Sequence, residues 1–158
     1  MSEYDPDSGA EIKADFIGGL NLPYGLAVSG GILFASNYGA NFVSKFDANT
    51  GAAINRAFVM KPEFNHPIGL GVVNFFLYVV WAERRQGSIS IYNFTTGEFV
   101  KDLKTGLDEP YGLAVTPSEV FVSLVTPRLR CQIRPPGSHA VRDRGATPPT
   151  RIGVEWPI

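Results

Sequence analysis

This sequence of 158 residues has one cysteine, little net charge and only short apolar runs. The single cysteine, Cys131, has no partner for an internal disulfide, and no cysteine–histidine spacing typical of a metal site occurs. The net charge of −1 does not favour nucleic acid or an anionic membrane surface as a partner. The longest apolar run, residues 72–82, is interrupted by Asn74 and is shorter than the roughly 20 residues that span a bilayer.

Catalytic motifs are lacking as well. The sequence has no Gly-x-Ser-x-Gly motif, and the glycine pairs at 18–19 and 30–31 are isolated turn pairs, unlike a phosphate-binding loop. The acidic N-terminal residues 1–16 differ from a secretory signal peptide. The sequence therefore predicts no catalytic, cofactor-binding or metal-binding residues in this chain. The cellular location stays open, with a secreted parent protein as one alternative.

The sequence does contain an internal repeat. A six-residue motif occurs three times at spacings of 44 and 43 residues, and an apolar triplet with a central aromatic residue follows each copy. A second motif combines an aromatic residue, Asp or Asn, a hydroxyl residue and Gly, and its glycines are 42 and 46 residues apart. The repeated positions are Pro23, Gly25, Pro67, Gly69, Pro110 and Gly112 in the first motif, and Asp5, Gly9, Asp47, Gly51, Asn93 and Gly97 in the second.

Each repeat contains four short strand-like segments. Proline lacks an N–H group and therefore suits the first residue of a strand. The apolar run 75–81 is typical of a strand covered on both faces. In the second motif, Asp or Asn is expected to cap the backbone of a turn and Gly to supply a positive φ. Four strands in about 40–45 residues are typical of a propeller blade. The predicted fold is all-β: a β-propeller segment of four-stranded antiparallel blades in an incomplete ring, with an irregular C-terminal tail.

The predicted domain organisation follows the repeat. Residues 1–125 form the propeller segment, with a half blade at 1–22, blades at 23–66 and 67–109, and a half blade at 110–125. The composition changes near Thr126, because residues 127–158 hold six arginines, no lysine, two acidic residues and six prolines. We expect residues 126–158 to be a disordered or frameshifted tail, and the chain to be a fragment of a longer propeller.

Three stretches resemble a known family: Pro-Tyr-Gly-Leu-Ala-Val at 23–28, Leu-Phe-Ala-Ser-Asn at 33–37 and the segment 43–51. They are similar to NHL repeats and to the senescence-marker and gluconolactonase group of six-bladed propellers. The resemblance implies a scaffold that binds a protein or a small molecule. The alternative is part of a gluconolactonase-like, metal-dependent hydrolase whose active-site blades are missing here, with a divalent metal in the full-length parent only.

Two residues are candidates for chemistry. His66, in the loop before Pro67, could act as a ligand or a base. The other repeats carry Leu22 and Glu109 at this position, which favours a tolerant turn. Asn37 follows a strand at a place where the resemblance implies a metal ligand. Trp81 and Leu124 occupy the matching positions, which favours a structural role.

Interaction surfaces are the remaining expectation. The polar loop at 83–86 is either a partner contact or a solvated hairpin tip. The tail arginines lack the interleaved aromatic residues of a nucleic-acid site. An incomplete ring leaves apolar blade faces uncovered, so the sequence predicts self-association, including a head-to-tail pair of chains that closes a six-bladed ring.

Overall fold

The computed structural model describes residues 1–62, 66–83 and 86–125, and the backbone of residues 132–133. Short antiparallel strands account for most of these residues, and one 3₁₀ turn lies at Tyr38–Ala40. The strands are β1 Glu3–Tyr4, β2 Glu11–Lys13, β3 Pro23–Ser29, β4 Ile32–Asn37, β5 Phe42–Asp47, β6 Ala53–Met60, β7 Pro67–Val73, β8 Phe76–Trp81, β9 Gly87–Asn93, β10 Phe99–Leu107, β11 Pro110–Val115, β12 Val120–Leu124 and β13 Gln132–Ile133.

The strands form four antiparallel sheets in which neighbours in sequence are neighbours in space. Sheet I contains β1 and β2, sheet II contains β3 to β6, sheet III contains β7 to β10, and sheet IV contains β11 to β13. The predicted all-β fold with four-stranded antiparallel sheets is confirmed, and the sheets do not close into a barrel. The exact limits of the predicted domains stay a prediction.

Strand β13 differs from the expectation. The half blade predicted at 110–125 holds a first and a second strand, whereas the structure adds a third strand of two residues. Ile133 lies opposite Val120 and Gln132 lies opposite Phe121. Strand pairing joins backbone groups and needs no particular side chain, so no repeat motif marks this short strand. The predicted disorder of the tail concerns residues that lie outside the described ones, apart from β13.

The apolar core lies between the sheets. Each sheet packs a face of apolar side chains against its neighbour, so that the described residues form three clusters along the chain. Strand β8 is buried from Leu77 to Trp81, and β9 is equally buried from Gly87 to Tyr92. The clusters centre on Phe16, Ile17, Leu33 and Phe46 between sheets I and II, on Phe34, Val43, Leu70, Val79 and Trp81 between II and III, and on Tyr78, Val80, Ile89, Ile91 and Val120 between III and IV.

The first strands of sheets II, III and IV lie side by side, and glycine permits their close approach. A Cβ atom at Gly25 would collide with the backbone oxygen of Ile68 in the next first strand. A Cβ atom at Gly69 would lie 2.9 Å from the backbone oxygen of Tyr111. Only a residue without a side chain lets the backbones pack this closely. The repeated glycine of the first motif therefore sets the spacing between sheets.

A serine on β4 completes the contact between sheets II and III. The register of β3 and β4 is irregular between Pro23 and Leu26. The N–H group of Gly25 in this stretch donates to Ser36 Oγ at 2.7 Å. The Ser36 hydroxyl lies 2.9 Å from the backbone oxygen of Ile68 and donates to it. One buried hydroxyl therefore serves the irregular strand and its neighbouring sheet.

Candidate binding cleft

The two ends of the sheets have different chemistry. Because the strands alternate in direction, connections from first to second and from third to fourth strands lie at one end, which we call the turn end. Connections from second to third strands, and from each sheet to the next, lie at the opposite end, which we call the cleft end. The third-to-fourth connections at the turn end repeat the second motif, whereas the loops at the cleft end differ from repeat to repeat apart from the motif proline.

The turn end carries the second motif in nearly the same geometry three times. Asp47 Oδ1 accepts hydrogen bonds from the N–H groups of Asn49 and Thr50 and from the Thr50 hydroxyl. Asp5 accepts the corresponding three hydrogen bonds, and Asn93 accepts the two from backbone N–H groups. Gly9, Gly51 and Gly97 take φ values of 70°, 72° and 78°. The structure thus places these residues in self-contained Asx turns, whose polar groups are used within the turn.

Hydrogen bonding shifts the acidity of the two turn aspartates. The side-chain hydrogen bond from Ser8 is the largest cause that lowers the pKa of Asp5, and the backbone N–H of Thr50 is the largest for Asp47. Both carboxylates are exposed, and donors that favour the charged form outweigh the small effect of desolvation.

The cleft end begins at the residue before each motif proline. Leu22, His66 and Glu109 all have positive φ, at 47°, 67° and 44°. Their backbone oxygens accept hydrogen bonds from Tyr38, Ala82 and Val125, each 16 positions later, at 2.9 to 3.1 Å. Non-glycine residues seldom adopt this left-handed conformation. The same strained turn therefore occurs three times with three unrelated side chains.

A cleft of about 370 Å³ opens at this end, between sheets III and IV and against the 3₁₀ turn of sheet II. Two carboxylates, two phenol rings, an imidazole and apolar side chains line it. Its residues are Tyr38, His66, Ile68, Ala82, Glu83, Glu109, Pro110 and Tyr111. The cleft has the size of a small-molecule site, and its wall is about equally polar and apolar.

Aromatic contacts fix the shape of the cleft. The His66 ring stacks on Tyr38, with centroids 4.1 Å apart and planes 15° apart. Its Nδ1 lies 3.1 Å from the backbone oxygen of Tyr38, and the backbone N–H of His66 donates to Asn41 Oδ1. Tyr24 joins this group, 5.1 Å from Tyr38 and 6.3 Å from Tyr111 between ring centroids. His66 is therefore held by its neighbours while it faces the cleft.

Asn37 lies away from the cleft and is fully buried. Its Oδ1 accepts a hydrogen bond from the N–H of Asn21, and its Nδ2 donates to Ser44 Oγ and the backbone oxygen of Ala35. Both ends of the amide are occupied within the protein, so the residue joins strands and no oxygen is directed to a ligand. The structure supports the structural interpretation of Asn37.

Two buried lysines were missed by sequence reasoning. Lys61 Nζ, at the end of β6, lies 2.6 Å from Asp102 Oδ1 and 3.0 Å from Ser90 Oγ in sheet III. Lys45 Nζ lies 4.5 Å from the centroid of the Phe58 ring and donates to the backbone oxygen of Phe94 at 3.2 Å. Burial lowers the pKa of Lys45 below its usual value. These partners lie 13 to 49 positions away from the lysines, outside the reach of any local pattern.

The structure also bears on metal binding, on membrane-spanning helices and on the polar loop at 83–86. In the part of the chain that the structure describes, no three His, Cys, Asp or Glu side chains lie close enough together to hold a metal ion. No helix of the described residues has the length and apolar character of a membrane span. Glu83 of the predicted polar loop lines the cleft, while residues 84–85 lie outside the described residues.

This chain is similar in structure to several known proteins. No family model matches the sequence, and no curated protein matches it significantly. A gluconolactonase from Xanthomonas campestris is 18% identical with a TM-score of 0.65, and the match covers 85% of this chain and 44% of that one. The chain in a nidogen/laminin complex is 16% identical with a TM-score of 0.61, covering 83% of this chain and 55% of that one. Both neighbours are β-propellers. The sheets of this chain are propeller blades.

A third likeness is to hydrazine synthase from Kuenenia stuttgartiensis, at 25% identity and a TM-score of 0.56. That match covers 77% of this chain and 33% of the other. The propeller blades described here thus span between a third and somewhat more than half of the structures they match. In this blade arrangement β3, β7 and β11 are the inner strands, and the cleft lies beside them at one end.

Proposed function

We propose that this chain is part of an NHL-like β-propeller that serves as a ligand- or protein-binding scaffold, and that the cleft at Tyr38, His66, Glu83, Glu109 and Tyr111 is its binding site. The observation that carries this proposal is the contrast between the blade ends. Repeated Asx turns join the third and fourth strands at one end, and varied side chains from three blades converge on a cleft of about 370 Å³ at the other. Varied loops on a rigid scaffold are where binding residues concentrate.

The lining favours a ligand with a cationic group beside an apolar one. Glu83 and Glu109 supply negative charge, and the aromatic side chains of Tyr38 and Tyr111 line the same cleft. A cation is attracted both by carboxylates and by the face of an aromatic ring. Amines, and the lysine or arginine side chains of a peptide, have this chemistry.

Protein-observed NMR titration tests the proposal, with a short lysine-containing peptide amide as the probe and glucono-δ-lactone as the comparison. We expect the peptide to shift amide resonances of residues 82 and 111, and the Glu83→Gln and Tyr111→Ala variants to weaken binding about tenfold. Phe75→Ala is the matched control, because Phe75 is 79% exposed at the turn end. Equal effects of Phe75→Ala and Tyr111→Ala would contradict the assignment of the cleft. Lactone hydrolysis that requires a divalent metal would favour the hydrolase alternative.

A further inference from the structure

The interface between sheets II and III is closed at the turn end by an Asx turn. The ring of Phe94, in the turn after β9, lies 5.2 Å from the ring of Phe34. Lys45 Nζ donates to the backbone oxygens of Phe94 and Thr95 at 3.2 Å. A third-to-fourth strand turn of one blade therefore covers the β4 and β5 side chains of the blade before it.

At the same place between sheets III and IV the structure has a second cleft, of about 300 Å³. Tyr78 and Ile91, which occupy the repeat positions of Phe34 and Lys45, lie in its wall. The lining is mainly apolar and consists of Val73, Asn74, Phe76, Tyr78, Ile91, Val100, Lys101 and Pro117. This turn-end cleft is the space that an Asx turn of sheet IV would fill. The segment after β13, residues 134–139, is Arg-Pro-Pro-Gly-Ser-His and lacks the Asp or Asn on which such a turn depends.

Among the described residues, the Asx turn at Asp5–Gly9 is the one whose sheet has no first and second strands. Sheet I consists of β1 and β2 joined by the turn at Asp5–Gly9, in the manner of third and fourth strands. Tyr4 occupies the repeat position of Phe46 and Tyr92, which are 0% and 2% exposed, yet Tyr4 is 57% exposed. Pro6 occupies the position of Phe94.

Apolar side chains on β3 and β12 are also exposed where the residues at the same repeat positions in other blades are buried. Leu26 on β3 is 49% exposed, whereas Leu70 at its repeat position is 6% exposed. Phe121 on β12 is 39% exposed, whereas Phe34 at its repeat position is fully buried. Each terminal face thus leaves uncovered what the internal interfaces bury.

The inner strand β11 has room for a further neighbour. Gly25 and Gly69 each meet the backbone of the next inner strand, as described above. Among the described residues, a Cβ atom at Gly112 would meet only the Ser123 hydroxyl of its own sheet, at 3.0 Å. That hydroxyl accepts the N–H of Gly112 at 2.8 Å, as Ser36 accepts that of Gly25. The described residues therefore leave space beside β11 into which an inner strand like β3 could pack.

We propose that two copies of this chain associate head to tail, so that sheet I of each copy supplies third and fourth strands to sheet IV of the other. The Asx turn at Asp5–Gly9 enters the turn-end cleft, β3 packs against β11, and β1 pairs with β12 in place of the two-residue strand β13. Both contacts recur by two-fold symmetry, which closes a ring of six blades.

Charge favours the same partner. Residues 1–22 contain five acidic residues and one lysine, a net charge of −4. Residues 127–158 contain six arginines and two acidic residues, a net charge of +4. A head-to-tail pair brings the acidic head of one chain to the sheet from which the basic tail of the other continues, whereas a head-to-head pair brings like charges together.

Light scattering coupled to size-exclusion chromatography of the full chain tests the proposal. We expect a discrete species with twice the chain mass of 17.2 kDa. Val100→Asp, in the wall of the turn-end cleft, should weaken the dimer about tenfold or more. Ile54→Asp is the matched control, because Ile54 has the same repeat position and similar exposure, 52% against 47%, on a blade whose neighbour is already present. A monomer at every concentration, or a dimer that Val100→Asp leaves unchanged, overturns the proposal.

A cysteine pair separates the closed ring from other forms of association. In a Cys131→Ser background, Pro6→Cys combined with Ile91→Cys should give a dimer with two intermolecular cross-links when treated with a short bismaleimide, because the contact at this repeat position spans the length of a lysine side chain. The Pro6→Cys variant alone should not cross-link, because the two Pro6 positions lie in different composite blades. A ladder of higher oligomers from the double variant would show open-ended association and would overturn the closed ring.

Discussion

The Asx turns show what one side chain does in this fold. Asp47 and Thr50 form a turn from four neighbouring residues, and Gly51 completes it with a positive φ. All the partners lie within five positions, so the turn could be predicted from the spacing of residue types alone. The same holds for Asp5 and Asn93. The buried contacts of Lys61 and Ser36 could not be predicted in this way, because their partners are 27 to 41 and 11 to 32 positions distant.

The turn aspartates make stability depend on pH. The pKa of Asp47 is lower in the folded chain than its ordinary value of 3.8, so its stabilising effect is complete above that value and is lost as pH falls through the folded pKa. Asn93 shows that an amide accepts the same backbone hydrogen bonds without titrating. We expect Asp47→Asn to reduce the loss of stability that occurs as the pH falls below about 4 in urea unfolding. A further reduction should follow in the Asp5→Asn/Asp47→Asn double variant, and equal losses in all three proteins would contradict this.

At the scale of the strands, the inner-strand glycines decide how closely blades approach. The sequence predicts Gly25 and Gly69 as repeated positions and predicts the strand that contains them. It does not show which backbone each glycine meets, because that contact joins different repeats. The cleft illustrates the same limit, since Tyr38, Glu83 and Tyr111 converge from three blades. His66 could be named from its position before Pro67, while its stacking on Tyr38 could not.

A glycine substitution tests the strand contact. Gly25→Ala should lower the free energy of unfolding by about 1–3 kcal/mol, because the new methyl group meets the backbone of β7. Gly18→Ala is the control: no atom lies within 4 Å of a Cβ placed there, and a change below about 0.5 kcal/mol is expected. Chemical denaturation of the three proteins measures both. A Gly25→Ala protein as stable as Gly18→Ala would mean that the inner strands lie farther apart.

At the scale of the whole molecule, stability is shared between neighbours. The sheets contact each other in chain order, as in other repeat proteins, and sheets II and III each have described sheets on both sides. Blade count and order could be predicted from the two motif periods. The turn-end cleft could not, because among the described residues sheet IV places no third-to-fourth strand turn beside Tyr78.

Hydrogen exchange measured by mass spectrometry should reveal this order. At concentrations low enough for a single chain, we expect β8 and β9 to exchange slowest, and β1, β2 and β12 to exchange fastest, because local opening is easiest where a blade has one neighbour. Raising the concentration should slow exchange in β1 and β12 if two chains join. Uniform exchange across all blades at low concentration would contradict the nearest-neighbour description.

The residue before each motif proline separates backbone shape from side-chain chemistry. Its left-handed turn is the same for Leu22, His66 and Glu109, while the last two line the cleft at Tyr111. Proline and the hydrogen bond to the residue 16 positions later hold the backbone in place. The side chain at this position can therefore change its charge or size without repacking any blade. A propeller built in this way can acquire a new ligand preference through single substitutions that leave the stability of its core unchanged.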